Sequence, residues 1–97
     1  MLNILVKLEV KDFDALEEFE TQAVRIMQEY KGSIVSAFET VRNPDGSGEE
    51  VHILQFPSEA HFASYRSDKS FEKLSSIRER AISSTEIIMS LNVKSYD

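Results

Sequence analysis

The sequence contains two histidines, and their side chains are the ones best suited to acid–base or metal chemistry. His52 lies in the apolar, strand-like run EEVHILQF, and His61 follows a Pro-Ser pair at the start of a predicted helix. Two imidazoles bind one metal ion when both lie about 2 Å from it and a further ligand completes the site. One strand residue and one helix residue do not have a typical ligand spacing, so the sequence predicts no metal site.

His52 is the histidine with the stronger functional expectation. Alternate residues of a strand share one face, which groups His52 with Leu54 and Phe56. We expect this face to be the open one that lines a dimer interior. A buried neutral imidazole there would act as a general base or a haem ligand, or would bond a side chain of a neighbouring strand. His61 is expected to be exposed to solvent.

Arg78, Tyr65 and Tyr30 are further candidates for ligand binding. A guanidinium binds a carboxylate through two parallel hydrogen bonds, and Arg78 lies beside the apolar stripe of a predicted helix. The alternative is an ion pair of Arg78 with a carboxylate of its own chain, and the available ones are Glu39, Glu72 and Glu86. The two tyrosines could donate hydrogen bonds into a pocket, or pack in the core with the hydroxyl in water.

Hydrophobic periodicity predicts the elements that position these residues, in the order βαββαβ. Strands are predicted over 1–10, 33–41, 49–56 and 85–96, and helices over 11–32, 59–67 and 68–84, with a break at Ser67-Asp68. Right-handed crossovers then give an α+β fold, the ferredoxin-like plait, with a four-stranded antiparallel sheet and its helices on one face. The whole chain, residues 1–97, is expected to be a single domain.

Capping residues mark the predicted helix ends. Asp12 or Asp14 is suited to accept hydrogen bonds from the first backbone N–H groups of the first helix, and Ser58 does the same for the second. Gly32 suits the left-handed position that follows a helix end. The segment RNPDGSG combines the residues of a tight hairpin loop.

Composition argues against several classes of partner. The formal net charge of −6 disfavours nucleic acid and anionic membranes, because both attract a positive protein surface. The absence of cysteine removes thiolate chemistry and fits a cytoplasmic location. No run approaches the roughly 20 apolar residues that span a bilayer. The amino-terminal run alternates with polar residues, so we expect no signal peptide, and we expect no cofactor.

Both faces of the predicted sheet carry large apolar groups. Val51 and Ile53 oppose the face of His52. In the second strand, the alternation groups Ile34 with Phe38. The opposite face of that strand receives Val35, Ala37 and Val41. Because an exposed patch of several hundred Å² is rare on a monomer, the sequence predicts a homodimer formed through the open sheet face.

The segment LQFPSEAHFASYRSDKSFEKLSSIRERA resembles the DUF1330 family, whose members have about a hundred residues. The matching positions are Phe56, Pro57, Ser58, Tyr65, Ser67, Phe71, Leu74 and Arg78. The resemblance implies the dimeric α+β barrel superfamily. That superfamily includes cofactor-free monooxygenases and haem-degrading enzymes.

Three functions follow from these observations and from the resemblance. The first is a homodimeric barrel that binds a small, mostly apolar organic molecule in a cleft between sheet and helices, with His52, Phe56, Tyr65 and Arg78 as ligand-binding residues. The second is a cofactor-independent monooxygenase-like enzyme for a small aromatic or quinol-like substrate, with His52 as the base. The third is haem binding through His52.

Overall fold

A computed structural model describes residues 1–96 of the chain. The four strands are β1 (Leu2–Val10), β2 (Ser33–Arg42), β3 (Gly48–Phe56) and β4 (Ile82–Met89). The helices are α1 (Phe13–Glu29), α2 (Glu59–Arg66) and α3 (Ser75–Ala81), with a short 3-10 helix (Lys69–Leu74) between α2 and α3. The strands form one antiparallel sheet in the order β2-β3-β1-β4. The predicted βαββαβ plait is therefore confirmed.

Strand β1 lies inside the sheet and supplies much of the core. It pairs with β3 on one side and β4 on the other. Its alternate residues from Ile4 to Val10 are buried, whereas Leu5, Lys7 and Glu9 face the other way and are only half-buried. The buried stripe of α1 packs with the buried strand residues in one cluster. Apolar burial is the main favourable term in folding, so this alternation decides which face the helices cover.

Side-chain caps begin α1, α2 and the 3-10 helix, and the first two caps were predicted from the sequence. Asp12, rather than Asp14, caps α1 by accepting hydrogen bonds from the backbone N–H groups of Asp14 and Ala15. Ser58 accepts from the N–H of His61 at the start of α2. The predicted break after α2 is also confirmed, since Asp68 accepts from the N–H of Ser70 and begins the 3-10 helix.

The last strand begins and ends earlier than the periodicity predicts. The prediction of helix to residue 84 and strand over 85–96 is wrong, because α3 ends at Ala81 and β4 runs from Ile82 to Met89. Ile82 is buried opposite Val10. The tertiary contact with β1 thus recruits residues that the local pattern assigns to the helix. Residues 90–96 lie outside the sheet.

A bulge in β2 changes which of its residues share a face. Ile34 pairs with Leu54, but the next aligned pair is Ser36 with Ile53, so Val35 is an extra residue in the ladder. The prediction that Ile34 and Phe38 share a face is therefore wrong. Ile34 packs against the core, whereas Phe38 lies on the open face. Alternation reverses across a bulge because one residue is left unpaired.

Gly32 is required by close packing rather than by a left-handed backbone. The left-handed residue after α1 is Lys31, with a φ of 59°. A Cβ atom on Gly32 would collide with the Phe56 ring and would lie 2.8 Å from Cγ of Met27. The predicted role of Gly32 as the left-handed residue is therefore wrong by one position.

Substitutions at these two neighbouring positions are expected to have opposite effects. Gly32→Ala should lower the free energy of unfolding by about 1–3 kcal/mol, because the new methyl overfills a packed core. Lys31→Gly should raise it by about 0.5–1 kcal/mol, because glycine adopts a positive φ without steric cost. Urea denaturation followed by circular dichroism measures both. Equal effects of the two variants would contradict this assignment.

Within the described residues, no helix is both long enough and apolar enough to cross a membrane.

Candidate functional site

A cavity of about 520 Å³ lies between the sheet and the helices. Its apolar lining comes from both layers, namely Val6, Leu8, Phe19, Met27, Leu54, Phe62, Phe71, Ile82 and Ile87. Its polar and ionisable lining residues are Glu20, His52, Tyr65, Arg66, Arg78, Ser84 and Thr85. A concave, mostly apolar space with a few polar groups is the usual form of a small-molecule site.

His52 is the one buried polar residue among the described residues, and it is 3% exposed. Its Nε2 atom lies 2.5 Å from Oε2 of Glu50. Residues two apart on a strand share a face, which explains why β3 brings the two side chains together. A carboxylate that accepts a hydrogen bond from Nε2–H leaves the lone pair on Nδ1. The pair therefore favours an imidazole that accepts a proton or a hydrogen bond through Nδ1.

Glu20 projects from α1 into the same cavity. Burial raises the pKa of Glu20, and the charge of Glu50 acts in the same direction. Electrostatic interactions with His52 and Arg78 oppose this shift. Removing a carboxylate from water disfavours its charged form, so Glu20 holds its proton to a higher pH than a surface glutamate.

An aromatic wall closes one side of the cavity. The Tyr65 ring lies 5.3 Å from the Phe56 ring and 5.2 Å from the Phe71 ring, centroid to centroid. Phe62 completes the group. Burial raises the pKa of Tyr65, and the charge of Glu20 adds to the effect. The Tyr65 hydroxyl therefore stays protonated and is available as a hydrogen-bond donor.

Two exposed arginines are among the lining residues of the cavity. Arg78 on α3 donates a hydrogen bond from Nη2 to Oγ1 of Thr85, 3.2 Å away. Arg66 on α2 stacks over the Phe62 ring at 5.7 Å. Among residues 1–96, Arg78 forms no ion pair with a carboxylate. Both guanidinium groups retain donors for an anionic group of a ligand.

A second cavity of about 310 Å³ adjoins the first beside strand β2. Glu20 and His52 line both cavities, and Glu50 lines the second. At its outer end, Arg42 is bound to Glu39 at 2.6 Å and stacks on Phe13. Glu20 and His52 therefore lie at a junction between the two cavities.

The structure brings together three of the four predicted site residues. His52, Tyr65 and Arg78 all line the main cavity. Phe56 does not line it, because its side chain is fully buried behind Phe62 and Tyr65. Arg78 bonds a hydroxyl instead of the carboxylates predicted as alternatives.

The expected orientation of His52 is wrong. His52, Leu54 and Phe56 face the helices and not the open side of the sheet. The other two candidates lie elsewhere. Tyr30 donates to Oδ2 of Asp68 at 2.5 Å, and His61 is half-buried with Nδ1 at 2.7 Å from Oγ of Ser58.

Sequence reasoning missed Glu20 and Glu50. A signal for Glu20 exists in the chain, since it falls on the apolar stripe of α1, four residues after Leu16 and three before Ala23. The acidic run EEFE concealed it, because such runs are common at helix starts. Glu50 has a signal too, as it lies two residues from His52 on a strand. Within the part of the chain described, no three His, Asp or Glu residues are grouped to hold a metal ion.

The element order and the four-stranded sheet define a class, the ferredoxin-like α+β plaits. Within that class, the chain belongs to the DUF1330 family, a domain of unknown function whose family model matches residues 3–91. A comparison with curated proteins gives no match.

Solved structures share the fold at low sequence identity. SnoaB, a cofactor-independent oxygenase from Streptomyces nogalater, is 11% identical with a TM-score of 0.71, covering 98% of this chain and 95% of that one. An uncharacterised NIPSNAP domain protein from Burkholderia xenovorans is 13% identical, with a TM-score of 0.67 and coverage of 96% and 95%. RPA0582, a protein of unknown function from Rhodopseudomonas palustris, is 15% identical, with a TM-score of 0.74 and coverage of 97% and 84%.

Proposed function

We propose that this protein binds a small, largely apolar organic molecule in the cavity between its sheet and its helices. The observation that carries the proposal is the buried His52, paired with Glu50, in the lining of a cavity of about 520 Å³. Buried polar groups are costly unless they are paired, and a pair that borders open space offers polar contacts to an occupant. Ligand pockets of roughly 300–1,000 Å³ hold drug-sized molecules.

The distribution of polar groups gives the ligand an orientation. An aromatic or alicyclic body fits against Tyr65 and Phe71, where apolar burial stabilises it. An oxygen group at one end meets His52. An anionic group at the other end meets Arg66 and Arg78, whose donors bind carboxylates well.

A second candidate function is cofactor-independent chemistry with His52 as the general base. The His52–Glu50 hydrogen bond favours it, since a carboxylate on one ring nitrogen orients the imidazole and leaves the other nitrogen to accept a proton. A phenol or enol in the cavity would lose its O–H proton to Nδ1 of His52. SnoaB, which shares the fold, is a cofactor-independent oxygenase. The engagement of Nε2 by Glu50 favours this role over haem ligation by the same histidine.

The open face of the sheet supports a homodimer. One row across the four strands contains Ser36, Ile53, Leu5 and Ile88, in that order. In the next row, Phe38 pairs with Val51. Ile88 and Phe38 are 53% and 55% exposed in the single chain. A second copy stacked on this face would cover these groups, and the buried area of a stable interface is about 1,600 Å² in total.

The dimer and the ligand occupy opposite faces of the sheet, so the cavity is complete within one subunit. We also expect the protein to work in the cytoplasm, because a chain without cysteine gains nothing from an oxidising compartment.

His52→Gln is expected to weaken ligand binding by about five- to 150-fold. Glutamine keeps a polar group but removes the imidazole, and a lost hydrogen bond at a buried site costs about 1–3 kcal/mol. Isothermal titration calorimetry with 1-naphthol, whose O–H group can donate to Nδ1 of His52, measures this loss, and titration with α-tetralone measures whether the cavity also binds a ketone.

His61→Gln is the matched control, since it changes the other histidine at the start of α2, outside the cavity lining. It should leave the affinity unchanged. Equal affinities of both variants and the wild type would refute a role for His52. An absence of binding in every protein would remove the proposed function itself for these ligand classes.

A further inference from the structure

Glu20 is a carboxyl group without a hydrogen-bond donor inside the described part of the chain. It lines both cavities beside His52. Helix geometry fixes its position, because it shares the apolar stripe of α1 with Leu16 and Ala23. A carboxyl group on the buried stripe of a helix is unfavourable for folding alone, so its place at the cavity calls for a functional explanation.

Titratable and charged groups surround Glu20, and they come from several elements. Strand β3 contributes His52 and Glu50, and α2 contributes Tyr65 and Arg66. Helix α3 contributes Arg78.

The second cavity adds charged groups from two elements. Strand β2 contributes Glu39 and Arg42, which neutralise each other, and α1 contributes Glu17. The lining residues from β1 and β4 are uncharged.

Water in the two cavities is what solvates the Glu20 carboxylate in the empty protein. A largely apolar ligand displaces that water and makes the charged form more costly. Burial already raises the pKa of Glu20 in the empty cavity. Filling the cavity acts in the same direction, because desolvation is the largest of the effects on this carboxyl group.

We propose that Glu20 takes up one proton from solvent when the cavity fills, and that its new O–H group donates a hydrogen bond to an acceptor oxygen of the ligand. This inference rests on the proposed ligand-binding function and specifies the ligand class. The ligand is an apolar molecule with a carbonyl group at the end that meets Glu20. A carboxylate at that end is rejected, since it would face a second negative charge.

The sign of the pH dependence follows from proton linkage. Proton uptake on binding makes binding tighter at low pH, and affinity falls by up to about tenfold per pH unit above the pKa of Glu20 in the empty protein. This loss of affinity ends once the pH exceeds the pKa of Glu20 in the complex, which is higher than its pKa in the empty protein. Below both values, affinity is independent of pH.

Calorimetry with α-tetralone tests the proposal, because this ketone does not ionise and any proton exchange belongs to the protein. Titrations over pH 5–8.5, each in two buffers of different ionisation enthalpy, give the number of protons taken up. The wild type should take up as much as one proton. Glu20→Gln should bind with no uptake and with an affinity that is independent of pH. Glu18→Gln, an exposed neighbour on α1 outside both cavities, should behave as the wild type.

Two negative outcomes are distinguishable. Binding without proton uptake, or uptake that persists in Glu20→Gln, overturns the role of Glu20 and leaves the binding function intact. Failure of the wild type and of both variants to bind α-tetralone overturns the ligand class and the proposed function together.

Discussion

Replacing Ile53 by glutamate is expected to convert the proposed homodimer into monomers. Ile53 lies on the open face of β3, beside Leu5 of β1 and Ser36 of β2. A second copy stacked on this face would enclose the new carboxylate near its own symmetry mate, and a buried unpaired charge costs several kcal/mol. A cost of about 3 kcal/mol raises the dissociation constant more than a hundredfold. Sedimentation velocity at micromolar concentration measures the change.

Ser76→Glu is the control for the added charge. Ser76 is exposed in the first turn of α3, where a negative charge is favourable, and it lies on the helix side of the molecule. This variant should remain dimeric. A wild-type protein that sediments as a monomer, without aggregation, would contradict the dimer proposal directly.

Truncating Phe56 to alanine is expected to cost about 3–5 kcal/mol of unfolding free energy, the usual range for a buried phenylalanine. Its side chain is fully buried against Phe62, Tyr65 and the backbone of Gly32. Small domains have only about 5–15 kcal/mol in total. A large shift of the urea midpoint, or failure to fold at 37 °C, is therefore the expected result.

Phe56→Leu provides the comparison, because it keeps most of the apolar volume and should cost about 1 kcal/mol. The sequence prediction of a ligand-binding Phe56 would give a different result. A residue of that kind loses affinity when truncated and leaves the urea midpoint nearly unchanged. That outcome would show that the packing around Phe56 described above is incorrect.

The separation of the two faces has a consequence for the proposed function. The open face carries the apolar groups that a second copy would cover, whereas His52, Glu20 and Tyr65 lie on the helix side. We therefore expect the proposed ligand binding not to depend on dimer formation. The monomeric Ile53→Glu variant should bind α-tetralone with the affinity of the wild type.

Local patterns were sufficient for the elements and their order. Alternation in β1 and the caps at Asp12 and Ser58 are decided by residues next to one another in the chain. The plait follows from that order, because short hairpins and right-handed crossovers leave few alternatives. Local patterns also placed Tyr65 and Arg78 on helices, whereas His52 was expected on the opposite side of the sheet.

Tertiary structure alone decided which face of the sheet each strand presents to the helices. Both faces of β3 are apolar, so its sequence is compatible with His52 on either side. Pairing with the buried residues of β1 and the bulge at Val35 settled the choice. The ionisation of Glu20 was decided in the same way. Desolvation depends on everything that surrounds a carboxyl group in space, and a stretch of sequence contains only its neighbours along the chain.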